Sequence, residues 1–129
     1  MLREYSPEHW PHEVGLDRLC KLETSFLNKT ALSEVLQQPA RERLVLLEID
    51  TAASDADATG GEPIFKDGVG IGRVTSGGYG YSVDMSLALG FVKGAKAGDQ
   101  VEVFILGRPH AASILERPPF DADGIRLRA

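Results

Sequence analysis

The stretch Gly70-Ile-Gly-Arg-Val-Thr-Ser-Gly-Gly-Tyr-Gly-Tyr-Ser-Val-Asp-Met-Ser-Leu-Ala-Leu-Gly-Phe-Val92 holds five glycines between Gly70 and Gly80 and then turns apolar. A glycine-rich phosphate cradle and the corner of a barrel both fit its opening half, and the residues around it decide between them. A dinucleotide-binding turn needs G-x-G-x-x-G between a strand and a helix, because the helix N-terminus must face the pyrophosphate. Here Gly68, Gly70 and Gly72 run as G-x-G-x-G, and Met85, Leu87, Leu89 and Phe91 alternate with smaller residues behind them, which is the period of a strand. A P-loop fails as well, since no Gly-Lys-Ser/Thr follows. The glycines therefore read as turn and bulge positions linking two barrel strands.

Outward from that stretch the strand reading continues. Lys66-Asp67-Gly68 sits between two short apolar runs, and Asp-Gly is favoured where a tight hairpin needs positive φ. Val101, Val103 and Ile105 alternate on one face after the turn Gly94–Asp99, and His110–Glu116 supplies a last strand beyond Gly107-Arg108-Pro109. Upstream, Leu44–Ile49 is a further β-rich run, followed by the small-residue loop 51–61, which is expected to be mobile. About six short strands predict a mainly β protein, a small antiparallel barrel or sandwich. Ahead of them, Ala31, Leu32, Val35 and Leu36 recur at helical spacing, with Asn28 or Thr30 to cap the start and Pro39 to stop it. Residues 1–27, broken by Pro7, Pro11 and Gly15, read as an extended wrapping segment.

Composition bounds the function. At 129 residues the chain fits one domain that buries its own core. A net charge of -5 argues against broad nucleic-acid binding, which needs an unbalanced cluster of Lys and Arg. Cys20 stands alone, so there is neither a disulfide framework nor a thiolate zinc cage, and a reducing cytoplasmic compartment is expected. No run approaches a membrane span and the N-terminus lacks the apolar core of a secretory signal, so no membrane partner is expected.

Catalytic constellations are sparse. His9 and His12 have H-x-x-H spacing, but Pro7 and Pro11 disfavour the helix that would aim both at a metal, so they read as exposed loop histidines and no metal is expected. Ser76 reads as a turn serine bonding its own backbone, and Asp84 and Glu102 as solvated strand positions.

Val74, Thr75, Ser76, Gly77 and Tyr79, followed by Ser86, Ala88, Gly90, Phe91 and Val92, resemble the C-terminal β-barrel domain of the glycine cleavage T-protein (aminomethyltransferase) family, and most closely the folate-binding tail of dimethylglycine and sarcosine dehydrogenases. The likeness runs upstream through Pro11, Glu13, Gly15 and Leu16, matching the family's Thr-Pro-x-Glu-Ala-Gly-Leu. It continues through Phe26, Lys29, Ala31 and Leu32 of the linking helix and through Arg41, Arg43, Leu44 and Val45. Asn28 replaces a family glycine and Val14 the usual alanine.

This resemblance implies a six-stranded jelly-roll or Greek-key barrel over residues 41–129, preceded by an extended segment and helix (1–40) that close the family's catalytic region. It implies tetrahydrofolate chemistry, the transfer of a one-carbon unit from an amine such as glycine, sarcosine or dimethylglycine. The family's large N-terminal region, with its catalytic aspartate, is expected on a neighbouring chain or elsewhere in the same one, so the barrel is not catalytic alone and carries no catalytic residue. Glu13 is expected to meet the pterin edge and Arg41 the folate tail, with Arg126 a third folate contact. A guanidinium suits the tail because it forks onto a carboxylate. The alternative is a non-enzymatic orphan barrel that acts as an assembly module for a separate catalytic chain, or forms a homodimer through the face such a chain would cover.

Overall fold

The computed structural model describes residues 4–52 and 54–128. Six strands, β1 (Arg43–Ile49), β2 (Pro63–Lys66), β3 (Val69–Gly80), β4 (Met85–Val92), β5 (Gln100–Ile105) and β6 (Arg108–Leu115), close into a barrel in the order β1-β4-β3-β2-β5-β6. All neighbours are antiparallel. The sequential hairpins β2-β3-β4 and the long connection that leaves β1 beside β4 make a Greek key, one of the two barrel topologies the family resemblance implied, and the six strands match the count read from the sequence.

Two hairpins turn on paired positive φ angles. Asp67 (φ 51°) and Gly68 (φ 76°) join β2 to β3, and Leu106 (φ 49°) and Gly107 (φ 78°) join β5 to β6. Such two-residue turns match the right-handed twist of the strands they connect. The second turn carries β6 two residues further upstream than its sequence suggests, to Arg108.

The barrel interior is filled by Leu47, Ile49, Ile64, Val74, Val92, Val101, Val103, Ile105, Ala112 and Ile114. Each buried aliphatic side chain of this kind contributes roughly 1.5–3 kcal/mol of transfer free energy. On β4 the small face, Ser86, Ala88 and Gly90, points into this core, while Met85, Leu87 and Leu89 lie half-buried outside.

Gly77, Gly78 and Gly80 are not turn residues: all three remain in β3, paired with Ala88, Leu87 and Met85, and the connection to β4 falls at 81–84. The bulges the glycines suggested are two: one at Ile71, between Gly70 and Gly72, where the register with β2 shifts, and one at Thr75, where the register with β4 shifts and the Thr75 hydroxyl donates to the Leu89 carbonyl. Gly72 has a different reason to be glycine, since a Cβ there would lie 1.9 Å from the Phe91 carbonyl oxygen. Ser76 donates to Glu4 (2.6 Å) rather than to its own backbone.

The loop after β1 is pinned in its second half. Ala58 is buried in the core, Asp57 accepts from the buried Ser86 hydroxyl, and Glu62 accepts from the Thr59 and Gly60 amides. Helix α1 (Lys29–Gln37) begins after Asn28, which takes a left-handed conformation (φ 63°) without a side-chain cap, and stops ahead of Pro39. Residues 4–28 form an extended strap broken by 3-10 turns at Pro11–Glu13 and Asp17–Leu19.

Candidate functional site

The strap and β1 meet at a single carboxylate. Pro11 sets the dihedral angle for the first position of its 3-10 turn and offers no N–H, so the turn needs an acceptor for the amide just before it. Glu13 supplies one: its Oε2 accepts from the Trp10 amide at 2.9 Å. From the bend just ahead of β1, Arg41 closes on the same group, donating its backbone N–H (2.9 Å) and Nε (2.8 Å) to Oε1 and Nη2 to Oε2 (2.7 Å).

Glu13 is 1% exposed and accepts four hydrogen bonds, the full capacity of an ionised carboxylate. The Arg41 side-chain bonds, helped by the two backbone amides and working against burial, bring its pKa down to about 2. The same pairing raises the Arg41 pKa.

Arg41 has capacity left. Its guanidinium lies over the Trp10 ring at 4.3 Å and Nη2 also donates to the Glu8 carbonyl, but Nη1 has no hydrogen-bond partner among the described residues and the side chain is half-exposed. Of the expected pair, Arg41 is therefore the one that presents free donors, whereas Glu13 holds it in place.

Next to this clamp the strap covers the outer face of β4. The His9 ring stacks flat on Phe91, with centroids 4.1 Å apart, and Phe91 is fully buried although it points away from the barrel core. His9 is thus not an exposed loop histidine: Nδ1 pairs with the Ser6 hydroxyl (3.0 Å) and Nε2 with Glu42 (3.1 Å). Glu42 also receives a fork from Arg73, both bonds 3.1 Å. Burial pushes the Glu42 carboxyl up, but the bonds from Arg73 and His9 outweigh it and leave it below the usual range.

Two concavities share His9. One, about 330 Å³, is mainly apolar and is lined by Tyr5, Pro7, Pro11, Val14 and Leu16. The other, about 250 Å³, is charged and is lined by Glu8, Arg41, Glu42, Arg73 and Lys93. Flat apolar walls beside forked cations suit an amphipathic ligand with an aromatic body and an anionic tail.

Arg126 does not join this group. It lies in the C-terminal 3-10 turn Arg126–Arg128, its guanidinium over Phe120 at 4.9 Å and its amide bonded to Asp121. Trp10, His9, Glu42, Arg73 and Lys93 are the residues that sequence reasoning missed. The signal available was strand parity: Arg73 pairs with Phe91 across β3 and β4, so a charge on the outer face had to meet an aromatic there.

Comparison with known proteins supports a common origin. Residues 42–121 match the model for the glycine cleavage T-protein C-terminal barrel domain. The chain is 38% identical to mitochondrial dimethylglycine dehydrogenase of Mus musculus over 122 residues, which is 92% of this chain and 14% of that protein. It is 36% identical to an aminomethyltransferase of Prochlorococcus marinus (strain MIT 9313), over 84% of this chain and 29% of that protein. The crystal structure of glycine cleavage system aminomethyltransferase T from Bartonella henselae superposes with a TM-score of 0.77 at 26% identity, covering 93% of this chain and 34% of that one. The chain thus spans between about a seventh and a third of the length of these relatives.

Proposed function

Because this chain belongs to the glycine cleavage T-protein C-terminal barrel domain family, we propose that it serves as the barrel portion of a tetrahydrofolate-dependent aminomethyltransferase or demethylating dehydrogenase. One observation supports this reading: Arg41, locked by Glu13, faces a charged cleft that meets an apolar cup at His9. The cup offers proline and tyrosine faces to a flat ring, and Nη1 of Arg41 offers N–H donors to a carboxylate.

In this reading Glu13 acts as a positioning residue. Its four bonds leave no lone pair for a pterin amine, so its contribution is to fix the guanidinium plane and hold the strap that forms the cup. The folate supplies the nucleophilic nitrogen that takes up the one-carbon unit. Proton removal and amine binding belong to a catalytic region on the same or a neighbouring chain, and the barrel closes one side of the cleft.

Calorimetric titration of the chain with tetrahydrofolate tests the proposal. One wall of a pocket predicts weak binding, with a dissociation constant on the order of 1 mM. Arg41→Lys keeps the charge but loses the fork, and is expected to weaken binding further. Saturable binding left unchanged by Arg41→Lys argues against the placement, as does the absence of binding at several times that concentration.

A further inference from the structure

On the other side of the strap, the ring nitrogens of His12 are buried side-chain atoms without a hydrogen-bond partner among the described residues. An imidazole always has at least one N–H to satisfy, and leaving it covered and unpaired is costly. Nothing in the Glu13–Arg41 clamp relieves it: the His12 ring meets the Trp10 ring at 5.7 Å, a contact that satisfies neither nitrogen.

His12 lines a cleft of about 430 Å³ together with Asp17, Arg43, Val45, Ala95 and Lys96. Arg43 and Lys96 make no ion pair or side-chain hydrogen bond among the described residues. Asp99 accepts from the Lys96 backbone amide at 3.1 Å and feels the Lys96 charge, but its side-chain ion pair is with Lys66 at 2.7 Å. The cleft therefore combines two uncommitted cations with an unsatisfied donor, against the single rim carboxylate of Asp17.

We propose that this cleft is a binding site for a small oxyanion, a carboxylate or phosphate group, held by Arg43 and Lys96 with the His12 N–H as third donor. The χ2 torsion of histidine is broad, so a turn of the ring brings a nitrogen to the cleft wall without leaving its rotamer. The site is separate from the concavities around His9 and does not depend on the folate reading.

The test is a nuclear magnetic resonance titration of the whole chain with sodium phosphate and, separately, sodium acetate, with chloride holding the ionic strength constant. Saturable shifts at the Val45, Ala95 and Lys96 amides and at the His12 ring nitrogens are expected, with a dissociation constant on the order of 1 mM. Saturation by phosphate alone identifies a phosphoryl ligand, and saturation by acetate a carboxylate. Arg43→Gln and Lys96→Gln should each weaken binding roughly tenfold, the size of one charge-assisted hydrogen bond. Lys96 lies in an exposed turn, so its variant keeps the test valid if Arg43→Gln perturbs β1. Shifts that do not saturate, or a midpoint that Lys96→Gln leaves unchanged, overturn the proposal.

Discussion

Arg41 meets Glu13 with its backbone amide as well as its side chain, so one residue two positions ahead of β1 supplies three of the four hydrogen bonds on a buried carboxylate. The strap is thereby tied to the barrel by an ion pair and by main chain at the same atoms.

Glu13→Gln should destabilise the chain by about 2–3 kcal/mol. The amide nitrogen of glutamine cannot accept, so at least one of the donors now facing Glu13 is left unpaired inside the strap. Trp10, the single tryptophan, stacks on Arg41 and reports the loss through its fluorescence in a urea titration. A midpoint within error of the parent would show that the clamp contributes little.

Acid should weaken the same clamp in a defined window. The Glu13 pKa is about 2 in the folded chain against an ordinary 4.5, so the unfolded chain takes up the proton first as pH falls. The stabilisation is full above pH 4.5, erodes below it, and is lost as pH falls through about 2. Half-exposure of Arg41 screens the pair, which limits the effect to the order of 2 kcal/mol. Urea midpoints of the parent and of Glu13→Gln should therefore converge between pH 5 and pH 2. A gap that stays constant over that range contradicts the assignment.

His9→Ala should cost about 1–2 kcal/mol, because it removes the stack on Phe91 and one bond to Glu42. His9→Phe keeps the stack and should recover part of the loss. Equal stabilities of the two variants would assign the whole effect to the His9 hydrogen bonds with Glu42 and Ser6.

Two glycines six positions apart on β3, Gly72 and Gly78, should behave oppositely. Gly72→Ala forces a methyl against the Phe91 carbonyl and should cost several kcal/mol or prevent folding, since backbone on both sides fixes the clash. Gly78→Ala meets nothing within 4 Å and should change stability by no more than about 0.5 kcal/mol. Thermal melts of the pair decide the point.

Much of the barrel was legible in local signals. Asp67-Gly68 gave the β2–β3 turn because few other pairs accept two positive φ angles, and β5 gave its inner face through Val101, Val103 and Ile105. The glycine run was harder. Gly77 and Gly78 look like a turn in isolation, and only pairing with Ala88 and Leu87 keeps them in a strand. The candidate site followed the same division. Glu13 and Arg41 were found through a family pattern, but that they bind each other across 28 positions is a tertiary fact. His9 was misread because nothing local announces that a loop histidine will roof an aromatic on a distant strand.

Closure of the barrel has a consequence for association. β6 returns to β1, so each strand has a neighbour on both sides over at least part of its length, and among the described residues the longest stretch with a strand partner on one side only is Ser76–Gly80 of β3. Addition of a foreign strand, a common route by which β proteins recruit peptides or polymerise, therefore finds no full-length edge strand among the described residues. The surface left for a partner is thus mainly side chains, on the strap, the helix and the loop tips.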